Sequence, residues 1–332
     1  MRWLKALFVL VLVLGLVYLL GPHPDTPRYD TVMPSVPPIN DLEKFISTQE
    51  GMHKLRPNNE ARIVWANDSA RQKTDYAIVY LHGFTGSQEE GNPVHRNIAK
   101  QFGCNLYLAR LSEHGIDTTE QLLHLTADSY WESAKLALSI GRQLGNKVIL
   151  MGTSTGATQA LQLAANYPND VAALVLYSPN IALYDPMARV LNNHWGLQIA
   201  RFVKKGNYMI GEDMRPISKQ YWNNPYRLEA TVALEEMLET TMNKETFSHI
   251  QQPTLMLYYY KDEQHQDTVV SVSAMKTMFS ELATPDSVKR AIALPNTGAH
   301  VIASPIRSKD IVSVEKETSR FLEEVLHLPV KQ

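Results

Sequence analysis

The chain has 332 residues and a formal net charge of −2, with 44% hydrophobic and 20% charged residues. This composition predicts a packed core, as one large α/β domain with an insertion or as two domains. A near-neutral charge with no basic run longer than Lys204-Lys205 excludes an electrostatic site for nucleic acid. The single cysteine, Cys104, excludes an internal disulfide and a Cys-rich zinc site.

Residues 1–21 form an apolar segment at the start of the chain. Arg2 and Lys5 precede an uncharged run that, with its flanking residues, reaches the length of a marginal membrane span. A cleaved secretory signal, giving a secreted protein, is the alternative, but the small residues of a cleavage site are missing near Gly21. We therefore predict a retained signal-anchor helix. By the positive-inside rule, the rest of the chain would lie in the periplasm or elsewhere outside the cytoplasm.

Strands and helices alternate after a Pro-rich stretch, 22–40, which predicts a partly extended linker. The predicted strands are 61–66, 76–83, 103–111, 147–152, 171–179, 253–260 and 288–296. The predicted helices include 126–144, 155–168 and 311–326. This alternation predicts a mostly parallel sheet with helices on both faces.

A long segment separates the predicted strands at 171–179 and 253–260, and two parts of it have helical apolar spacing. We predict a helical cap, 183–250, inserted between two parts of the core, 41–182 and 251–332. The apolar cap residues that we expect around an acyl site are Met187, Val190, Leu191, Trp195, Phe202, Met237, Leu238 and Met242. The alternative is that these side chains only pack the insertion onto the sheet.

The sequence GTSTG, from Gly152 to Gly156, stands between a predicted strand and an alanine-rich helix. This context fits the G-x-S-x-G nucleophile elbow, in which a serine sits on a sharp strand-to-helix turn. Glycines fit there because bulkier neighbours would clash in so tight a turn. An ordinary helix N-cap is the alternative role for Ser154. We predict that Ser154 is a nucleophile.

A serine nucleophile needs a general base and an orienting carboxylate. His300 follows the last predicted strand, and we predict that it is the base. Two carboxylates in the loop after strand 253–260 are candidates for the acid. We prefer Asp267, because the valines after it can fix the loop in the core, and Asp262 is the alternative. The charged residues of this loop match no metal-ligand spacing, so we expect neither a metal nor a cofactor.

Two backbone N–H groups are expected to stabilise an oxyanion. The N–H of Thr155 lies at the predicted start of a helix, where the positive end of the helix dipole favours an anion. Phe84 lies in LHGFTGS, just after a central strand, and its N–H would point at the substrate oxygen. We interpret His82 and His114, in two His-Gly loops near the same sheet edge, as structural.

The order Ser154, Asp267, His300, with the sequences LHGFTGS, GTSTGA, QDTVV and GAHVIASP, resembles the α/β-hydrolase superfamily. Within it, the chain is similar to the branch of monoacylglycerol lipases, bacterial carboxylesterases and lysophospholipases, over about residues 60–327. The resemblance implies a serine hydrolase that cleaves carboxylic esters, of lipid or acylglycerol type, through an acyl-enzyme. Ala157 departs from the branch, which often has a second glycine there, and the acid loop is longer than usual.

Other activities remain open at the level of sequence. The same three residues can hydrolyse thioesters or amides, so a thioesterase or a peptidase is an alternative. A catalytically dead, membrane-tethered binding module is another, although the chain has every residue of the triad. The expected partners are a small-molecule or lipid ester and the membrane around the N-terminal helix, with no obligate protein partner.

Overall fold

The computed structural model describes residues 2–331, in which helices and strands alternate. The α-helices are, in chain order, α1 (Arg2–Leu19), α2 (Ile39–Glu50), α3 (Val94–Phe102), α4 (Ala127–Leu144), α5 (Thr155–Asn166), α6 (Gly196–Lys204), α7 (Pro216–Tyr221), α8 (Leu228–Thr241), α9 (Lys244–Ser248), α10 (Val272–Glu281) and α11 (Ile311–Glu324). The strands are β1 (Arg62–Val64), β2 (Thr74–Leu81), β3 (Asn105–Leu108), β4 (Gly145–Thr153), β5 (Ala173–Tyr177), β6 (Tyr208–Met209), β7 (Tyr226–Arg227), β8 (Thr254–Tyr258), β9 (Tyr260–Asp262), β10 (His265–Gln266) and β11 (Lys289–Ala293). Short 3₁₀ turns lie at Gln88–Gly91, Pro186–Val190 and Asp286–Val288.

A seven-stranded sheet in the order β1-β3-β2-β4-β5-β8-β11 forms the centre of the fold. β1 is antiparallel to β3, and the other neighbours are parallel. In parallel strands the carboxyl ends meet at one edge, and that edge is where open α/β sheets bind ligands. The predicted fold class, a mostly parallel sheet flanked by helices, is confirmed.

Both faces of the sheet are buried, as the apolar strand sequences require. In β2, Ala77, Val79 and Leu81 belong to one core cluster, which includes residues of α4 and α5. Ile78 and Tyr80 belong to the other, which includes residues of α3 and α11. Because successive side chains of a strand point to opposite faces, a continuous apolar run places a core on each side.

The helix α4 begins where the sequence predicts. Thr126 is its N-cap: the side chain accepts a hydrogen bond from Ser129 N, while Ser129 Oγ accepts one from Thr126 N. This reciprocal capping satisfies two backbone donors that a helix start leaves free.

The predicted linker is extended, but it is fixed along α4. Trp131 Nε1, Lys135 Nζ and Ser139 Oγ each donate to a backbone carbonyl of the segment, at 2.8, 2.8 and 2.9 Å. These three side chains are spaced by four residues and therefore share one face of α4. The segment ends at α2, which begins at Ile39, inside the predicted linker. A Pro-rich composition gives the extended form, but the three donors that fix it lie a hundred residues away.

The insertion between β5 and β8 contains α6 to α9 and the small β6–β7 sheet. One of the two parts of the insertion with helical apolar spacing, residues 186–203, is not a single helix: a 3₁₀ turn ends at Val190 and α6 begins at Gly196. Trp195, the residue directly before α6, has φ 66°, a left-handed conformation that a continuous right-handed helix does not contain.

Candidate active site

Ser154 lies between β4 and α5 with a backbone that is unusual for a side-chain-bearing residue, at φ 54° and ψ −119°. Hydrogen bonds to the end of β5 and the loop after it hold this conformation: Ser154 N donates to Tyr177 O at 2.8 Å, and Asn180 N donates to Ser154 O at 3.1 Å. Strained backbone of this kind persists only where the surroundings over-determine it. The plain N-cap interpretation does not apply, because the Ser154 side chain makes no capping hydrogen bond.

The two glycines of the motif are required by close backbone approach. A Cβ on Gly156 would lie 2.0 Å from Leu81 O, and a Cβ on Gly152 would lie 2.6 Å from Ala157 N. Both clashing atoms belong to the backbone, so a change of side-chain rotamer could not relieve either clash. The start of α5 thus packs closely against the end of β2, and the turn that carries Ser154 lies next to the loop that contains Phe84.

His300 and Asp267 form a hydrogen-bonded pair, with Nδ1 of His300 2.6 Å from Oδ2 of Asp267. The Asp267 side chain is fully buried. Its other oxygen accepts hydrogen bonds from the backbone N–H groups of Val269 and Val270, at 2.8 and 3.2 Å. The carboxylate therefore has a fixed orientation toward the imidazole.

A hairpin decides which aspartate reaches His300. The predicted strand 253–260 ends at Tyr258, and the chain then makes the β9–β10 hairpin before it returns, with Asp267 N donating to Tyr259 O at 3.2 Å. Asp262 lies on the hairpin, exposed to solvent, where it binds His265 Nδ1 at 2.8 Å. The structure thus brings together Asp267 and His300, while Asp262 has a different partner.

The pKa of His300 is raised above its ordinary value. Burial acts to lower this pKa, but the charge and the hydrogen bond of Asp267 act to raise it, helped by the charge of Glu90, and the net direction is upward. An imidazole held this way is a stronger proton acceptor than a free one at its Nε2 atom.

The two predicted oxyanion donors lie on the two loops that meet at Ser154. Among residues 2–331, neither Phe84 N nor Thr155 N donates a hydrogen bond to a protein acceptor. The Phe84 loop is held by two buried imidazoles: Leu111 N donates to His82 Nε2 and Thr85 N donates to His114 Nε2, each at 3.0 Å. Burial lowers the pKa of His82 to about 4 and holds the pKa of His114 well below its ordinary value, so both rings serve as neutral acceptors.

Glu90 was not identified from the sequence, yet it is buried in this site at 2% exposure. Its Oε2 accepts from Gly83 N at 2.5 Å and its Oε1 accepts from Trp222 Nε1 at 3.0 Å. Burial raises its pKa to about 7, although these hydrogen bonds and the nearby His300 and Arg307 act to lower it. An adjacent pair of glutamates in a loop normally indicates a solvated turn, so no sequence signal marks this one as buried.

Ser154 and His300 line one cavity of about 380 Å³. Its walls also include Phe84, Thr85, Glu90, Asn180, Leu183, Trp222, Tyr226, Leu234, Val269, Ala299, Val301 and Arg307. The volume lies within the range of about 300–1,000 Å³ that small-molecule sites occupy. A larger groove of about 910 Å³ lies at the opposite sheet edge, around Gly145 and Pro253, away from Ser154.

The cap residues that line this cavity differ from those expected. The insertion supplies Leu183, Trp222, Tyr226 and Leu234. None of the eight residues named from the sequence lines the cavity; for example, Met187 and Phe202 are 67% and 85% exposed, whereas Met237 and Leu238 are buried in the core. Helical spacing shows which residues share a face, but it does not show which face meets the sheet.

No group of three or more His, Cys, Asp or Glu residues within 2–331 is arranged to hold a metal ion. Cys104 is buried, and burial raises the pKa of its thiol to about 12. It therefore has the properties of a small core residue rather than a nucleophile.

A family model named Hydrolase_4 and described as "Serine aminopeptidase, S33" matches residues 72–300. The chain belongs to this Hydrolase_4 family. The matched range begins just before β2 and ends at His300, so it includes Ser154 and Asp267. The predicted membership of the α/β-hydrolases is confirmed. Among curated proteins, no significant match was found.

Solved structures share the fold of this Hydrolase_4 chain at low sequence identity. A structure described with LipS and LipT, two metagenome-derived lipolytic enzymes, aligns with a TM-score of 0.65 at 15% identity, covering 82% of this chain and all of the other. A monoacylglycerol lipase from Paleococcus ferrophilus aligns with a TM-score of 0.57 at 15% identity, over 79% and 98% of the two chains. Est1E from Butyrivibrio proteoclasticus, with ferulic acid bound, aligns with a TM-score of 0.55 at 15% identity, over 81% and 95%.

Proposed function

We propose that this hydrolase is a serine esterase that cleaves carboxylic esters through an acyl-enzyme. One observation carries the proposal: the Asp267–His300 pair, with Nδ1 and Oδ2 at 2.6 Å, shares a cavity with Ser154 on its strained turn. In a Ser-His-Asp system the serine attacks, the histidine moves the proton, and the buried carboxylate holds the imidazole. The residues present have the types and the surroundings for these roles.

The proposed reaction has two stages. His300 Nε2 takes the proton of Ser154 Oγ as Oγ attacks the ester carbonyl, and the negative oxygen accepts from the N–H groups of Phe84 and Thr155. His300 then gives its proton to the leaving alcohol, and the acyl group stays on Ser154. His300 then takes a proton from a water molecule, whose oxygen attacks the acyl carbonyl; the bond from that carbon to Ser154 Oγ breaks, His300 returns the proton to Oγ, and the carboxylic acid leaves.

Glu90 is a positioning residue in this scheme. Its hydrogen bond to Gly83 N orients the His82–Gly83 peptide, one peptide before the Phe84 N–H, and its bond to Trp222 fixes a wall of the cavity. When Glu90 is ionised, its negative charge also favours the imidazolium that forms on His300 in the transition state. Glu90 does not contact the reacting atoms in the proposed scheme.

An ester of lipid or acylglycerol type is the substrate class that we propose. The acyl site is small, and side chains such as Leu183, Leu234 and Val269 give it apolar walls, which suit one acyl chain better than a polar group. The similarity to a monoacylglycerol lipase and to lipolytic enzymes is a similarity of fold alone, and it is consistent with this substrate. A thioester would meet the same groups and is the nearest alternative.

The family description favours a second candidate, an aminopeptidase, which must bind a substrate ammonium group. Glu90 is the only carboxylate that lines the cavity among the described residues, and both of its oxygens already accept hydrogen bonds from the protein. A substrate amine would have to displace Gly83 or Trp222 from it. We therefore place the ester first and the amide second.

We also propose that α1 is retained as a membrane anchor, with the catalytic part on the extracytoplasmic side. α1 is apolar enough to span a membrane and has 18 residues, none of them buried in the protein; a signal sequence would meet the same criteria. Arg2 and Lys5 at its beginning favour the cytoplasmic side for that end.

Hydrolysis of p-nitrophenyl esters of increasing chain length, beside aminoacyl p-nitroanilides, tests the proposed function. The purified full chain should cleave the esters with one preferred chain length and should leave the anilides largely intact. Ser154→Ala should abolish the activity, and Ser280→Ala, at an exposed serine of α10, should not. Cleavage of anilides alone would support the aminopeptidase, and equal activity of Ser154→Ala and wild type would overturn the serine mechanism.

A further inference from the structure

The C-terminal end of α1 and the residues after it are hydrogen-bonded to the cap. Trp195 donates two hydrogen bonds, from its indole Nε1 to Val17 O at 3.0 Å and from its backbone N to Pro22 O at 2.8 Å. His194 Nδ1 lies 2.8 Å from Gly21 O, and its ring meets Tyr18 edge to face. A Cβ on Gly21 would lie 2.0 Å from the Trp195 indole, so the indole packs directly against the Gly21 backbone.

This contact determines the depth of the cap relative to a membrane that holds α1. At 1.5 Å per residue, the 18 residues of α1 span about 27 Å, close to the ~30 Å hydrocarbon thickness of a bilayer. Val17 lies in the last turn of α1, at the end of the apolar run. An indole hydrogen-bonded to Val17 O therefore lies at the boundary between hydrocarbon and headgroups, where tryptophan is favoured.

The helix α6 begins directly after Trp195 and has an apolar face that stays exposed among residues 2–331. Ile199, Phe202 and Val203 are 45%, 85% and 65% exposed. Their spacing of three and four residues places them on one side of the helix. α6 is about 13 Å long at the standard rise, so this face lies within one short helix of the Trp195 contact.

Charge at the end of α6 complements a lipid surface. Lys204 and Lys205 are exposed, and neither forms an ion pair within residues 2–331. Arg201 on the same helix is paired with Glu229 at 2.6 Å and is thus already neutralised. An exposed apolar stripe beside free lysines is typical of helices that lie in the headgroup region of a membrane.

We propose that α6 is a second membrane contact of this chain: it lies in the surface of the bilayer that holds α1, with Phe202 inserted among the acyl chains. The lipid bilayer thus covers the exposed apolar face of α6, and the cap lies on the bilayer surface. α6 packs against α8, whose Leu234 lines the cavity, so the membrane surface lies one helix from the acyl site. The proposal depends on α1 staying attached; it does not depend on the reaction that the site catalyses.

A fluorescence measurement on the full chain in phosphatidylcholine vesicles, with and without phosphatidylglycerol, tests the contact. Phe202→Cys is labelled with the environment-sensitive dye NBD, and Lys316→Cys on α11 is the matched control. The native Cys104 is 3% exposed and should not be labelled. We expect blue-shifted emission at position 202 that spin-labelled lipids quench, and water-like emission at position 316 that aqueous iodide quenches. Iodide quenching of both positions alike would overturn the proposal.

A second variant separates the contact from the chemistry. Phe202→Asp with Val203→Asp changes two exposed side chains, so the fold should be retained, as a thermal melt would show. If the proposed esterase activity holds, the activity of this variant toward an ester embedded in vesicles should fall severalfold. Its activity toward a soluble short-chain ester should equal that of the wild type. A wild type inactive on both esters would refute the proposed function and leave the fluorescence result valid. Equal loss on both esters, or a membrane-bound form whose intact mass lacks α1, would overturn the membrane contact.

Discussion

Glu90 and Trp222 are joined by a hydrogen bond of 3.0 Å between Oε1 and the indole Nε1, deep in the cavity that contains Ser154. Trp222 belongs to the cap insertion, whereas Glu90 follows the loop after β2, so this bond connects the two walls of the site. The other oxygen of Glu90 accepts from Gly83 N, next to the proposed oxyanion donor Phe84. One buried carboxylate thus connects the cap, the loop before Phe84 and, through its charge, His300.

Glu90→Gln should shift the acidic limb of the pH–rate profile to lower pH. His300 must be neutral to take the serine proton, so kcat/KM rises with pH as His300 loses its own proton. The charge of Glu90 helps to raise the pKa of His300, and its removal should lower that pKa and the midpoint of the limb. Glu89→Gln, one residue away on the same turn, is the control. A limb that stays in place or moves upward would refute the electrostatic role.

Asp267→Asn should reduce kcat steeply while Asp262→Asn should leave it near the wild-type value. An amide at the acid position of a Ser-His-Asp triad costs about 10⁴-fold in kcat, because it holds the wrong tautomer of the imidazole. Asp262 is exposed and bonded to His265, so its loss should affect only the hairpin. Steady-state kinetics on a soluble ester measures both variants. The reverse order of effects would move the acid to Asp262.

Gly156→Ala should destabilise the fold, because its Cβ would lie 2.0 Å from Leu81 O and the backbone would have to move. Overpacking of this kind costs about 1–3 kcal/mol of unfolding free energy, and a rigid backbone contact places this position at the upper end. Gly206→Ala is the matched control, since no atom lies within 4 Å of its Cβ position. Urea denaturation of both variants gives the comparison. Equal midpoints would show that α5 does not press on β2 as described.

Leu234→Trp should shift the preferred acyl chain to shorter lengths. Leu234 is 5% exposed and lines the cavity of about 380 Å³, so a larger side chain removes space at the acyl site. Leu234→Met, which roughly conserves volume, should keep the wild-type preference. The ratio of kcat/KM values across p-nitrophenyl esters reports the change. A proportional loss at every chain length would show that Leu234 affects the fold rather than the acyl pocket.

Much of the fold could be predicted because it follows from local patterns. The apolar strands, the Thr126 cap of α4 and the alternation of strand and helix are visible within short windows of sequence. The elbow around Ser154 is equally local, since its glycines and flanking elements are contiguous. These features need no knowledge of which distant segments meet.

What could not be predicted depends on distant contacts. The β9–β10 hairpin, with its irregular register, turns Asp262 away and returns Asp267 to the end of β8, and sequence spacing alone left both possible. The burial of Glu90 depends on Trp222, more than a hundred residues away. The cap side chains that face the cavity depend on how α8 and the segment around Trp222 meet the sheet, so helical periodicity selected the wrong set.

The most direct test of the central claim is covalent labelling of the folded full chain by a fluorophosphonate, followed by peptide mapping. A phosphonyl adduct on Ser154, absent in Ser154→Ala and formed much more slowly in His300→Ala, is the result that the proposed mechanism predicts. Labelling depends on an activated serine and not on the natural ester, so it does not require the substrate to be known. No adduct, or an adduct on another serine with Ser154 unmodified, would contradict the proposal that Ser154 is the nucleophile.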